Sequence, residues 1–404
     1  MKTRFEAPTG SPRAGARAVG RLEAGVVDDG AGFAALEGEW GALHASCPSA
    51  TPFQSWAWLY SWWEHYGGPY GLRIVTVRDG GGDLVGLAPL MVERGRGFGR
   101  LLFIGRGRAA YLDVLAVGGR EGDVARAVAG ALRGMGGWQV ADLQELRPGA
   151  VAYALEDGWT GPRVLLRQST CPVTEVKPWE GLIAALTQKR RSIARQTLRR
   201  AEQDGVSPVL VGPEGAEEAA RRLVALHRES WRGRGIGLEH KSRRFEAHLE
   251  AAVSRMTAAG LGAISEFRRD GEAVVSHFLV FGRDFVGGYM FGASEEALKR
   301  YQYSSLCMWD AANVARSKDL RYVNDLRGEE SYKVRWSSEL VPNHRLILGR
   351  SPVVVAAYGR WQVLRSKALA YAVSEEAPRW VKRSVVGYRD LRTRISRAVE
   401  RISG

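Results

Sequence analysis

The sequence predicts an α/β protein made of two tandem domains, each a mixed sheet flanked by helices, followed by a basic helical extension. Three observations carry this expectation. Strand-like and helix-like hydrophobic patterns alternate from residue 20 to about residue 350, the order expected of layered sheets and helices. Two Asp-Gly turns, Asp79-Gly80 and Asp270-Gly271, each lie between alternating apolar runs with similar elements around them, which reads as an internal duplication. Past residue 350 the composition turns strongly basic.

The elements follow in order. Residues 31–46 and 55–66 have helical spacing, the second with Trp56, Leu59 and Trp63 on one face and Trp58 and Trp62 on the adjoining one. Residues 73–78 and 84–92 read as strands around a glycine-rich turn. Strands at 101–105 and 113–117, a helix at 121–133 and a strand at 140–146 complete the first half. The second half opens with a strand at 172–176 and a basic helix over 183–203 that stops before Gly205. A strand at 206–211, helices at 216–231 and 244–259, and the hairpin 261–268/272–281 follow. A strand at 284–291, a loop at 292–303, a helix at 305–317 and strands at 321–325 and 344–348 close it.

The expected organisation is a disordered basic leader (1–19), two domains (20–165 and 166–350) and the extension (351–404). At roughly 150 residues per domain, 404 residues suit this count. With 45% hydrophobic and 25% charged residues the chain is neither wholly disordered nor a disulfide-stapled miniprotein. Cys47, Cys171 and Cys307 are far apart and form no CxxC pair, so a disulfide framework and a thiolate zinc site are unsupported, and no metal is expected. The leader lacks an apolar h-region, and no run reaches the roughly 18 apolar residues of a membrane span, so a cytoplasmic location is expected. The net charge of +14 calls for an anionic partner, whether nucleic acid, phosphorylated cofactor, anionic lipid or acidic glycan.

The chemistry is expected between Ser276 and Trp336. A strand, loop and helix in that order leave free N–H donors at the helix start, which suit a diphosphate. Ser304 or Ser305 can cap that helix, and Lys299 and Arg300 add positive charge before it. No GxxxxGK[ST] and no suitably placed GxGxxG occurs there, so nucleotide sites of those kinds are unsupported.

Residues 271–277, Tyr289, residues 301–305 and the run 325–336, with Asp325, Gly328, Tyr332, Lys333 and Trp336, resemble the CelD-like or BioF2-like acetyltransferases of the GNAT superfamily. Residues 52–58 and 62–66 resemble the N-terminal part of the same proteins, so the resemblance spans about residues 20–350. It implies two GNAT-like domains packed as in Fem-type peptidyltransferases. It also implies an acyltransferase using acyl-CoA (acetyl-CoA), acting on a small-molecule or glycan acceptor, with relatives tied to exopolysaccharide production. The usual Gln/Arg-x-x-Gly-x-Gly/Ala loop is absent; residues 301–305 stand in its place.

On this basis His277, Asp325, Glu329 and Lys333 are the catalytic candidates. His277 or an acid near Asp325 would take the acceptor proton, and Lys333 would stabilise an oxyanion or hold a phosphate. Lys299, Arg300, Tyr301, Tyr303, Ser304 and Ser305 are the cofactor-binding candidates, a tyrosine among them protonating the leaving thiolate. The plain alternatives are a structural strand histidine at 277 and an Asp325 or Glu329 paired with Arg327. His227 reads as core-edge packing and Cys307 as a buried thiol with no partner set for covalent transfer. The basic helix with Lys189, Arg190, Arg191, Arg195, Arg199 and Arg200 is either a solvated face or a phosphate contact. Two other functions fit the charge: Fem-type transfer from aminoacyl-tRNA, and a non-catalytic polyanion-binding scaffold. The extension reads as a helix docked on the body through Val355, Tyr358, Trp361, Val363 and Leu364, with peripheral contact to an anionic membrane as the alternative.

Overall fold

The computed structural model describes residues 21–95, 98–232, 240 and 242–373; the expected leader and residues 374–404 of the extension lie outside them. The first half comprises β1 (Glu23–Val27), α1 (Gly30–Ala35), α2 (Glu37–Ser46), α3 (Trp56–Tyr66), β2 (Tyr70–Arg78), β3 (Leu84–Gly95), β4 (Phe98–Phe103), β5 (Leu115–Ala116), α4 (Glu121–Gly134), β6 (Val140–Leu146), α5 (Leu155–Gly158) and β7 (Arg163–Glu175). The second comprises α6 (Trp179–Ala184), α7 (Gln188–Gln203), β8 (Ser207–Leu210), α8 (Ala216–Ser230), α9 (Arg243–Ala258), β9 (Gly262–Arg269), β10 (Glu272–Phe281), β11 (Phe285–Ala293), α10 (Glu295–Arg300), α11 (Tyr303–Ser317), β12 (Tyr322–Asn324), α12 (Ser331–Val334) and β13 (Glu339–Gly349); α13 (Pro352–Val373) follows.

All strands join one mixed sheet in the order β1-β2-β3-β4-β6-β13-β7-β12-β11-β10-β9-β8, with β5 paired to β3. The order is palindromic in meaning. From each edge inward come three antiparallel pairings and then one parallel pairing, β4 with β6 and β11 with β12, spanned by the crossover helices α4 and α11. The hairpins β2–β3 and β9–β10 therefore occupy equivalent places, as the two Asp-Gly turns imply. At Asp270 (φ 52°) and Gly271 (φ 84°) the turn has two positive-φ residues, the type I′ geometry that matches strand twist.

At the centre the last strands change sides. β7, from the first half, pairs with β12 of the second, and β13, from the second, pairs with β6 of the first; β7 and β13 pair with each other. The expected boundary between residues 165 and 166 falls inside β7.

Aromatic helix α3 provides a second contact between the halves. Trp58 is fully buried and meets His248 of α9 edge-on at 5.1 Å, while Arg255 of α9 donates to Ser61 at 2.8 Å. Trp58 and Phe53 also pack on Tyr289 of β11, at 5.0 and 6.0 Å. α13 docks on the sheet through Val355 and Tyr358, whose hydroxyl donates to Asp142 at 2.7 Å. Trp361, Val363 and Leu364, expected on that buried face, are exposed; Gln362 is buried instead.

Other differences are local. The helix expected over 183–203 is two helices, broken where Pro178 and Thr187 cap separate starts. The loop expected over 292–303 contains α10, and β1 and most of β7 and β13 lie outside the expected strands. Gln302 occupies the N-cap of α11, not Ser304 or Ser305; the Ser305 hydroxyl, in the first turn, donates back to Gln302 Oε1 at 2.6 Å.

α8 crosses β11 so closely that a Cβ on Gly292 would stand 2.3 Å from the His227 backbone nitrogen, whereas one on Gly288 would meet nothing within 4 Å. Gly292→Val should therefore cost on the order of 2–3 kcal/mol in urea denaturation, while Gly288→Ala stays within about 0.5 kcal/mol of the parent. Equal stabilities would mean that α8 does not rest on β11.

Candidate functional site

β11 and β12 pair only through residues 285–287 and 322–324; beyond Gly287 they part. At the same point β11 carries a bulge. Phe278 faces Met290 and Leu279 faces Gly288, so Tyr289 is the extra residue. From Gly288 onward the β12 side of β11 has no strand partner, and its backbone groups there face a cavity of about 250 Å³. Tyr303, Ser304, Cys307 and Met308 of α11 form one wall, and Asp325, Glu330, Tyr332 and Lys333 form another. The equivalent opening of the first half is closed by its own chain: Tyr111, Leu112, Asp113 and Val114 are buried there, and Leu112 N–H donates to the Glu145 carbonyl. The helix ends differ too. α4 starts with Glu121 and Asp123 in its first turn, whereas the first turn of α11 has no acid, so only α11 presents an N-terminus suited to an anion.

Of the expected residues, His277, Asp325, Lys333, Tyr303 and Ser304 line the cavity. Glu329 is exposed and does not; its neighbour Glu330 does. Lys299 and Arg300 lie on α10, paired with Glu295 and Asp204, so their charge is spent away from the cavity. Tyr301 is buried with its hydroxyl on Asp204, and Ser305 is fully buried.

Asp325 follows β12 and has an Oδ2 that is buried without a hydrogen-bond partner from the protein. Burial raises its pKa to about 7 and Glu330 adds to the rise, against the opposing pull of Lys333. The Lys333 ammonium donates to the Arg327 carbonyl (2.8 Å) and pairs with Glu330 (3.1 Å). Arg327, expected beside Asp325 or Glu329, reaches into the first half and pairs with buried Glu145 at 2.9 Å. Asn343 Nδ2 donates to the other oxygen of Glu145 at 3.0 Å, and Ser169 bonds that same oxygen, so the loop carrying Asp325 is fastened to the exchanged strands.

His277 is buried on β10 and bonds Asp310 of α11 through Nε2 at 2.7 Å. Burial opposes the charged ring, but the Cys307 sulfur and the Asp310 carboxylate outweigh it and raise the pKa to about 10. The pair thus favours the protonated ring, the form with no lone pair to offer. Cys307 is half-buried on the cavity wall beside this pair, not buried as expected. His227 also faces the cavity. Its Nδ1 hydrogen-bonds the Phe291 carbonyl (2.7 Å) and its Nε2 meets His240 Nδ1 (3.1 Å), and burial lowers its pKa. Asp310 and Glu330 are the residues that sequence reasoning missed, and His227 and Cys307 were read as packing; the three-residue spacing of Cys307 and Asp310 on one helix face was the available signal.

No group of three or more His, Cys, Asp or Glu side chains among the described residues is placed to hold a metal ion, and no helix among them is long and apolar enough to cross a membrane.

Residues 188–334 match the acetyltransferase (GNAT) domain, a span that contains every residue lining the cleft except Trp336. No curated protein matches the chain in sequence. Among solved structures, the chain is similar to FemX (TM-score 0.55, 12% identity, 77% of this chain and 95% of that one). It is also similar to the C-terminal domain of a putative lysylphosphatidylglycerol synthetase from Agrobacterium fabrum (0.52, 12%, 82% and 96%). A third is a conserved protein of unknown function from Bacteroides thetaiotaomicron (0.52, 12%, 78% and 97%). The fold is thus the expected α/β arrangement of a mixed sheet flanked by helices, with the match to the acetyltransferase (GNAT) domain confined to the second half.

The His277–Asp310 pair carries a pH signature. Its folded pKa of about 10 lies above the ordinary imidazole value, so its stabilisation is complete below about pH 6.5 and fades as the pH rises through 10. The stability difference between the parent and His277→Gln, read by urea denaturation, should shrink by roughly 2 kcal/mol or more between pH 6 and pH 10.5. A difference that stays constant across that window would show an uncharged pair.

Proposed function

We propose that the second half is the catalytic half of an acyltransferase, moving an acyl group from an acyl thioester, acyl-CoA, to an amine or hydroxyl of a saccharide or cell-envelope-related acceptor. The observation that carries this reading is the Asp325 carboxyl, poised near pH 7 with an unpartnered oxygen at the point where β11 and β12 part. A general base works best with a pKa near the operating pH. The base role weighed between His277 and Asp325 therefore goes to Asp325, and His277 stays paired with the Asp310 carboxylate in the wall.

The first turn of α11, with Tyr303 and Ser304, would hold the donor's diphosphate, and a cavity of about 250 Å³ fits its thioester end but not the whole donor. The exposed basic face of α7, including Lys189 and Arg190, lies on the helix that packs beside α11 and supplies further positive charge. The acceptor nitrogen or oxygen attacks the thioester carbon while Asp325 removes its proton. Unpaired backbone N–H groups of β11 and the Lys333 ammonium stabilise the oxyanion, and the C–S bond breaks as Tyr303 protonates the sulfur. An aminoacyl-tRNA donor presents the same reacting carbonyl, and FemX shares the fold, so charged tRNA is the donor to compare.

Asp325→Asn should lower kcat by about 10²–10³ with little change in donor KM, and should abolish the rise of kcat/KM through about pH 7 expected of the parent. Lys333→Ala should lower kcat more than it raises donor KM. Turnover of acetyl-CoA and of charged tRNA, measured side by side, identifies the donor; turnover of neither would leave a scaffold and defeat the proposal.

A further inference from the structure

Arg327 stands two residues from the carboxyl assigned as base, and both residues line one small hollow between the halves. A guanidinium free in that hollow would pair with Asp325, because opposite charges attract strongly where little water screens them. The chain sends it elsewhere. Leu326 takes a left-handed backbone (φ 56°), its N–H donating to Asn324 Oδ1 at 2.8 Å, and Gly328 (φ 119°) follows. The N–H groups of Asp325 and Gly328 donate to the Pro172 and Thr170 carbonyls of β7, each at 3.0 Å. Between these two anchors the Arg327 side chain crosses into the first half, where it meets Glu145.

Two strand irregularities prepare that meeting. On β6, Leu143 faces Leu346 and Leu146 faces His344, so Gln144 and Glu145 share the place opposite Arg345. On β7, Gln168 and Ser169 likewise share the place opposite Asn343. Glu145 adopts φ 59°, a region that a residue with a Cβ enters only when its surroundings over-determine it. Its buried carboxylate uses both oxygens. Oε1 accepts from Arg327 Nη1 (2.9 Å) and Gln168 Nε2 (3.3 Å); Oε2 accepts from Asn343 Nδ2 (3.0 Å) and Ser169 Oγ. The Gly107 carbonyl takes Arg327 Nη2 at 3.3 Å.

The charges acting on Asp325 are Lys333 and Glu330, in opposite directions. Tyr332 flanks them, and Tyr303 and Cys307 of α11 stand on the other wall of the cleft. Tyr289 of β11, Arg108 of the loop after β4 and His240 line the adjoining hollow. All of these stay the same when only Glu145 and Arg327 are changed.

We propose that Glu145 is a positioning residue: it holds the Arg327 guanidinium in the first half and so keeps it off Asp325, whose carboxyl stays available to take the acceptor's proton. The role rests on the reading of Asp325 as the base, but the tether itself is measured without turnover.

The Asp325 carboxyl is titrated by carbon-13 NMR in the full chain labelled at its aspartate carboxyls, the signal assigned by its loss in Asp325→Asn. Glu145→Gln keeps the shape of the tether and removes its charge. The Asp325 titration should then fall by about one pH unit or more, since a released guanidinium favours the carboxylate. In Glu145→Gln/Arg327→Gln nothing is left to release, and it should return to within about half a unit of the parent. In turnover, Glu145→Gln should move the rise of kcat/KM to lower pH and cut kcat about tenfold with donor KM unchanged. The double variant should recover both, a rescue that a merely structural tether does not predict. It also removes both buried charges together, so it keeps the test open if Glu145→Gln alone does not fold. An Asp325 titration unmoved by Glu145→Gln, or one in the double variant displaced from the parent by about a unit in either direction, overturns the proposal. Failure of acyl transfer with every donor, with both titrations as described, sinks the base reading and leaves the tether standing.

Discussion

The exchange of β7 and β13 is the constraint on which the rest depends. A strand edge left open is a row of unpaired N–H and C=O groups. Each half has such an edge where its parallel pair ends, at β6 and at β12, and each is closed by the other half's final strand. The halves are thereby joined by backbone hydrogen bonds rather than by side-chain contact alone. Glu145, Arg327, Ser169 and Asn343 lie at this junction as a buried network, and a buried charge is tolerated only when paired in this way. Through Arg327, whose carbonyl accepts from Lys333, the junction fixes the loop that carries Asp325.

The repeated strand order offers two openings, and packing fills one of them. In the first half the chain after β4 folds into its own opening, and Asp113 is consumed there as an acceptor for the backbone N–H groups of Val114, Val151 and Ala152 and for Ser49. The filled half then serves as support. Asn324, at the end of β12, donates to the Tyr111 hydroxyl at 2.7 Å, and Trp58 and Phe53 brace the bulge residue Tyr289. The tryptophan-rich stretch is thus a first-half buttress for a second-half site.

Much of this was legible in the sequence, because local periodicity and turn chemistry decide most elements: 140–146 and 55–66 are strand and helix nearly to the residue. What was not legible depends on distant partners. The outer ends of β7 and β13 alternate polar and half-buried residues, and nothing local announces that they pair with one another. Of the cavity-lining residues, His277, Asp325, Lys333 and Tyr303 were singled out through a resemblance in motif and Ser304 by its place at a helix start. Asp310 was hidden because its meaning comes only from a histidine 33 positions away on another element.

The strand exchange also sets a timetable for the chain's birth. Leu146 ends the first half's last internal strand, yet its partner His344 lies about 200 residues downstream, so at 5–20 residues per second the ribosome delivers it roughly 10–40 s later. Throughout that interval β6 is an uncovered edge on a nascent polypeptide. The first half cannot finish folding as an independent unit while it is being made. Completion is a late, long-range event of high contact order, the kind that proceeds slowly and leaves time for a chaperone to shield the edge.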